Sequence, residues 1–386
     1  MRPPSATPLA WLSLIHDRQR LVAAVGGVAF AVVLMLLEMG FLFAIYDSST
    51  LSIEAFDADL ILTHQHKDDI NPSKPFPLQR LDQARGVPGV ADIYPVYQRR
   101  LGAWRNLESS RRDLLRVLAF DPRDPVFEHP EIDAQRSLLL RPDTALVDRR
   151  YRDTYGGLRS GSSGELDGRR IQLVGDFEMG PDLQLNANLV MSDRTYRNCF
   201  NAVRRGGDIL DDVEYGLVQV EPGHRPAQVR RALVDRLPSD VRVHTPEGLT
   251  RTIHRFWTIH QPVGAVFALG LLVGFAIGVM ICYQILFTDV HDNLPQFATV
   301  KAMGYGNGFL VRLALRRGVY LALLACVLGL PLGLAGYAAL GSVTGLTFRL
   351  TAGRAALVAG ATIVMCALAS LLAMRKALAL DPAEVY

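Results

Sequence analysis

The chain has 386 residues, 41 Lys and Arg against 38 Asp and Glu, and 49% hydrophobic residues gathered into blocks. A net charge of +3, with basic residues dispersed among acids, argues against a nucleic-acid partner. Blocks of this kind also argue against a purely soluble chain, because a helix needs roughly 20 mostly apolar residues to cross a bilayer.

The first block, Leu21 to Ile45, follows a cytoplasmic N-terminal segment, residues 1–20. It is too long for a cleaved leader and lacks a small-residue cleavage pattern, so it reads as a retained transmembrane helix. Glu38 lies inside it. An ionisable group there is costly, and a structural hydrogen-bonding role is read in preference to a proton relay.

Residues 46–261 form a segment large enough for an independent domain. Strands are predicted at 58–63, 90–98, 113–120, 169–177, 186–192, 213–221 and 240–245, and helices at 77–86, 192–200 and 225–238. The mixture indicates α+β. Residues 159–168, RSGSSGELDG, read as a flexible loop, and the proline-rich run 121–133 as an ordered turn. The first helix is expected to continue outward through SSTLSIEAF, and a helix from about Pro246 to His260 to lead into the next span. Helical attachments transmit a shift that a floppy linker would absorb. Cys199 is alone among the four cysteines in lying in this domain, so no intrachain disulfide supports it.

Three further spans follow: 262–287, 319–340 and 355–374. A cytoplasmic segment, 288–318, separates the first two, and a short periplasmic loop, 341–354, the last two. Residues 375–386 are a cytoplasmic tail. Arg18, Arg20, Lys301, Arg312, Arg316, Arg317, Arg375 and Lys376 place both termini inside by the positive-inside rule, against Arg349 and Arg354 on the outer loop. Gly270, Gly274 and Gly278 recur every four residues and permit close helix packing, either in self-association or against the first helix.

Little classical chemistry is present. No glycine is followed by lysine, so there is no Walker A phosphate cradle. SGSSG at 160–164 lacks the spacing of a nucleophile elbow. His64 and His66 with Asp68 and Asp69 could supply half of a metal site, but no third ligand cluster accompanies them, and no metal or catalytic residue is expected. In the stretch LPQFATVKAMGYGNGFL (294–310), Leu294, Phe297 and Ala298 share a face of a short helix, with Lys301 a turn later and Gly304 and Gly306 ending it. Apolar knobs beside a cation suit a partner's groove, and a helix lying on the bilayer would look the same.

With its surroundings, QILFTDVHDNLPQFATVKAMGYGNGFL (284–310) closely resembles permease subunits of the FtsX/MacB superfamily of ABC transporters, within it the DevC-like branch. The resemblance extends through residues 8–41, 94–106, 120–127, 188–200 and 216–223, Phe256 and Trp257, and the closing DPAEVY. It implies a four-helix, inner-membrane subunit with a large periplasmic α+β domain between helices 1 and 2, working as a homodimer. A separate cytoplasmic ABC ATPase would use ATP and Mg, and this chain would bind no cofactor. A periplasmic membrane-fusion adaptor and an outer-membrane TolC-like duct complete the implied assembly, which exports glycolipids or related envelope compounds. The residues thereby assigned to ATPase coupling are Leu294, Gln296, Phe297, Ala298, Thr299, Lys301, Met303, Gly304 and Tyr305. The sequence departs from the family at Gln296 and at Arg316, Arg317 and Gly318, where acids often stand. An FtsX-like scaffold that activates an envelope partner without transport is the alternative.

Overall fold

In a computed structural model, residues 18–70, 73–106, 112–150, 158–181, 185–201, 207–292, 303 and 305–379 are described. They divide into two compact units, one of Met1–Phe43, Val263–Leu340 and Phe348–Tyr386, the other of Ala44–Pro262 and Gly341–Thr347.

The first unit is built on four helices long and apolar enough to cross a membrane: α1 (Arg18–Ser48), α8 (Pro262–Asp292), α9 (Asn307–Thr344) and α10 (Ala352–Ala379). Of the four, α1 is the most buried and α8 the least. This follows from sequence: α1 carries the small residues Ala24, Ala29 and Ala31 beside Val28, Val32, Met35, Leu36 and Met39, all of them buried. In lipid, such interlocking of small and large side chains replaces the hydrophobic effect as the source of cohesion. Pro331 sits inside α9 and removes one backbone donor.

The second unit is a mixed α/β domain between α1 and α8. Its strands are β1 (Leu60–His64), β2 (Phe76–Pro77), β3 (Val90–Asn106), β4 (Arg112–Phe120), β5 (Thr144–Asp148), β6 (Ser163–Leu166), β7 (Arg169–Phe177), β8 (Ala187–Ser192), β9 (Asp212–Val213), β10 (Tyr215–Val220) and β11 (Val241–His244). Nine of them run in the order β11-β1-β10-β3-β4-β8-β5-β7-β6, while β2 and β9 pair separately. Because β6 also pairs with β3, through Trp104 opposite Leu166, the strands β3, β4, β8, β5, β7 and β6 close into a ring. Closure removes exposed edges. Trp104 fills the ring at this point, and its indole lies so close to Gly164 that a Cβ there would approach to 2.2 Å. The first half of β3 instead pairs with β10, so this 17-residue strand belongs to both the ring and the outer three-stranded sheet. Both faces of β1, β5 and β8 are buried, which accounts for their near-continuous apolar sequence.

The domain's helices are α2 (Leu51–Glu54), α3 (Gln79–Arg85), α4 (Pro130–Gln135), α5 (Asp193–Phe200), α6 (Pro226–Arg236) and α7 (Pro246–Ile259). Several expectations are corrected. The supposed loop 159–168 contains β6, joined to β7 by Asp167 and Gly168, both at positive φ (47° and 86°). Asp-Gly is the dipeptide a tight hairpin requires there. The run 121–133 does hold an ordered turn, closed by the Asp124 N–H on the Asp121 carbonyl at 2.9 Å, and then enters α4, whose Pro130 occupies the first turn, where its missing N–H is harmless. The first helix does not continue through SSTLSIEAF: α1 stops at Ser48, and α2 begins only at Leu51. The hydroxyls of Ser48, Ser49 and Thr50 donate to the carbonyls of Ile45, Tyr46 and Asp47, competing with helical pairing. Likewise β3 runs on to Asn106, well past residue 98, because partners are available along its whole length.

Candidate functional site

Within the membrane unit, glycines determine how closely the helices approach. Along α8, Gly270 faces the Glu38 carboxylate, Gly274 faces Leu34 and Met35, and Gly278 fits between Ala31 and Met365. A Cβ at Gly270 would lie 2.5 Å from Glu38 Oε2 and one at Gly278 2.2 Å from Met365 Sδ, so neither position accepts a side chain without movement. In this chain the stripe therefore packs on α1. A second stripe, which the sequence reading passed over, runs along α9. Gly329 lies against Val32, Gly333 against Leu36 and Gly336 against Leu37, and Tyr337 donates its hydroxyl hydrogen to the Leu36 carbonyl oxygen at 2.6 Å. The spacing Gly329-Gly333-Gly336 was visible in the sequence as small residues three and four apart.

Only Met303 and Tyr305 of the residues assigned to coupling are among the described residues. Leu294, Gln296, Phe297, Ala298, Thr299, Lys301 and Gly304 lie outside the described residues. Met303 is 64% exposed, and the Tyr305 ring lies 4.7 Å from that of Phe309. Beside them Val290, Leu310 and Met374 form a small buried cluster, with Phe309, Leu313 and Ala314 packed on it. This cluster joins the ends of α8, α9 and α10. Gly318 sits against Ser370 Oγ and the Cys366 carbonyl. A Cβ there would come within 2.4 Å of the hydroxyl oxygen. The local interhelical distance is thus set by glycine.

In the inserted unit, the two chain ends near the membrane helices meet. The Tyr46 ring stacks on His254 at 5.4 Å and its hydroxyl bonds with that of Thr258 at 3.0 Å. Helix α7 is capped by Thr245, whose Oγ1 accepts from the Gly248 N–H at 3.1 Å. It buries Leu249, Ile253 and Trp257, spaced four apart on one face. Trp257 donates its indole N–H to Asp69 Oδ1 at 3.3 Å. His260 and Gln261 separate α7 from α8, whose first turn opens with Pro262.

Asp69 lies near a buried polar centre. Lys67 and Glu214 form an ion pair in which each side chain is almost completely shielded. Glu214 also accepts from Ser73 Oγ at 2.7 Å and from the Lys74 N–H at 3.0 Å, so both of its oxygens are used. Burial holds the Lys67 amine below the ordinary lysine range, and Glu214 opposes that shift. Lys67 also stands over the Tyr215 ring at 4.9 Å. On the other side of β4, Asp148 is cradled by the N–H groups of Met179, Gly180 and Arg150 and by the Asn188 amide. Burial raises its pKa, against the pull of those donors. These groups organise the core.

The His66 N–H donates to His64 Nδ1 at 3.1 Å, and among the described residues no three His, Cys, Asp or Glu side chains gather at a distance suited to an ion.

The family described as FtsX-like permease C-terminal matches residues 266–382. A search of curated proteins finds no match to the chain. Among solved structures, the periplasmic region of MacB from Actinobacillus actinomycetemcomitans is similar at 10% identity and a TM-score of 0.34, covering 50% of this chain and 91% of that one. The extracellular domain of the noncanonic ABC-type transporter YknZ from Gram-positive bacteria is similar at 12% identity and a TM-score of 0.31, covering 48% and 99%. A domain of a putative permease protein from Porphyromonas gingivalis gives 18% identity and a TM-score of 0.31, covering 48% and 87%. The family match coincides with the glycine-packed helices α8, α9 and α10 and the segment that joins the first two. Residues 266–382 of this chain are thus similar to the C-terminal part of FtsX-like permeases.

Proposed function

We propose that the chain is the permease subunit of an ABC exporter and converts movement imposed by a separate cytoplasmic ATPase into movement of its inserted domain. The family match over residues 266–382 carries this reading, joined to the lack of any Walker A cradle in the sequence. ATP and Mg belong to the partner in this scheme, and the permease works by positioning alone. The segment from Leu294 to Tyr305 is the surface the ATPase grips. Motion enters the inserted domain through the paired chain ends held by Tyr46, His254 and Thr258, and the Trp257–Asp69 bond passes it to the core.

In this reading the inserted domain is periplasmic and engages an adaptor leading to an outer-membrane duct, both chain termini are cytoplasmic, and two copies of the permease operate together. The cargo is a glycolipid or another hydrophobic envelope compound. Lys301→Glu and Met303→Asp, each introduced into the full chain with its ATPase, test the proposal by pull-down and ATPase assay. Loss of ATPase binding with both chains folded is expected. Unchanged ATPase binding together with unchanged transport overturns the coupling role, and intact ATPase coupling with activation of an envelope partner but no exported compound would favour the scaffold alternative.

A further inference from the structure

On one side, β3 pairs with β10 as far as Val96 and with β6 from Trp104 onward. Between these points its partner among the described strands is β4 alone, on the other side, with a register shift between Arg100 and Gly102. The outer sheet and the ring part company here, and the space between them is a cavity of about 440 Å³, within the range of small-molecule pockets of roughly 300–1,000 Å³. Such a gap leaves β3 main-chain groups without ladder partners; the Gln98 carbonyl is met by the Tyr196 hydroxyl at 3.3 Å.

Two guanidinium groups, Arg99 and Arg100, line the cavity with the carboxylates of Asp212 and Glu214. Their situations differ. Arg99 lies over the Phe200 ring at 4.8 Å and reaches Asp167 at 4.0 Å. Glu214 has both oxygens engaged by Lys67, Ser73 and the Lys74 N–H. Arg100 Nε, by contrast, is shielded from solvent and has no hydrogen-bond partner among the described residues. A buried guanidinium donor without a partner is costly, and a planar fork of this kind matches a carboxylate or phosphate. Lys67 pairs with Glu214 and Asp167 lies by Arg99, whereas Arg100 makes no ion pair among the described residues.

Tyr97 and Tyr196 complete the wall, their rings stacked with centroids 5.8 Å apart. Tyr97 donates its hydroxyl hydrogen to Leu210 O at 3.5 Å, and Tyr196 to Gln98 O, so both present ring surface rather than hydroxyl to a ligand. We propose that this cavity binds a small oxyanion-bearing ligand, a carboxylate or phosphate on a flat apolar body, with Arg100 on the anion and the tyrosine pair beside the body. The assignment is independent of the permease reading, since it rests on the inserted domain alone.

The test is isothermal titration of the full chain in detergent with phenyl phosphate, phenylacetate and inorganic phosphate. Saturable binding of at least one aromatic anion is expected, weakened about tenfold or more by Arg100→Gln and unchanged by Arg85→Gln, a cation outside the cavity. Absence of saturable binding by the unaltered chain, or unaltered affinity in the Arg100→Gln variant, overturns the site. Phenyl phosphate binding no tighter than inorganic phosphate overturns the part assigned to the tyrosines. Should Arg100→Gln fail to fold, Ile209→Trp, which fills the cavity from its rim, decides the matter: lost binding supports the site and retained binding overturns it.

Discussion

Trp257 donates its indole N–H to Asp69 at 3.3 Å, tying the helix that leads into α8 to the loop after β1. Both side chains are buried, so this bond joins the rim of the inserted domain to its core without solvent to weaken it. Trp257→Phe keeps most of the apolar surface and removes the donor, and a loss of about 1–2 kcal/mol is expected. Trp257→Ala also opens a cavity, raising the loss to about 3–5 kcal/mol. Hydrogen exchange across α7 and β1 measures both, and equal protection in the two variants would refute the separate contribution of the bond.

The Lys67–Glu214 pair gives a second prediction. Glu214→Leu alone leaves an unpaired buried ammonium and is expected to cost about 3–5 kcal/mol, whereas Lys67→Met with Glu214→Leu is expected to recover most of that loss. Denaturation of the full chain, followed through the fluorescence of Trp104 and Trp257, forms the double-mutant cycle. Additive effects of the two substitutions would show that the ions act independently.

Glycine positions in the membrane unit are sensitive to volume. Gly278→Leu drives a side chain into Met365 and Ala31, and Gly318→Glu drives one into Ser370 and the Cys366 carbonyl. Each is expected to lower the melting temperature in detergent by several degrees, on the order of 1–3 kcal/mol of overpacking. Gly353→Ala, at a position with open space around it, is the control and should leave the melting temperature in place. A Gly318→Glu variant as stable as the parent would show that α9 and α10 can separate there.

Burial, reinforced by Arg242 and Arg230 and opposed by Asp68, pushes the His244 pKa from 6.5 down to about 4. Its Nε2 is enclosed without a hydrogen-bond partner among the described residues. A base with a depressed folded-state pKa binds its proton more readily when unfolded, so its contribution is complete above pH 6.5 and is lost as pH falls toward 4. The inserted domain is therefore expected to lose about 2–3 kcal/mol over that window through this residue. His244→Phe should flatten that part of the stability profile, measured by denaturant titration at a series of pH values. A profile of unchanged slope in the variant would assign the pH dependence elsewhere.

Much of the architecture could be read along the chain. The four apolar blocks and most strands are local features: runs such as Leu60-Ile61-Leu62 or Asn188-Leu189-Val190-Met191 bury both faces and declare themselves by composition. The strand at Ser163–Leu166 escaped notice because its sequence is small and polar, although the Asp167-Gly168 turn that makes it a hairpin was present. The break at Ser49 and Thr50 was hidden for a related reason, since hydroxyl-to-carbonyl bonding only competes with a helix once the chain has somewhere else to go.

The sequence by itself determined where this chain can enter a bilayer, that a folded domain interrupts those helices, and that no phosphate cradle is present. Each follows from composition or spacing over a few tens of residues. Only the tertiary structure decided which helix each glycine stripe meets, that one strand joins a closed ring to an open sheet, and that Arg100 is left facing the gap between them. Those outcomes depend on pairings such as Trp104 with Leu166 and Lys67 with Glu214, across separations of 62 and 147 residues, which no local pattern encodes.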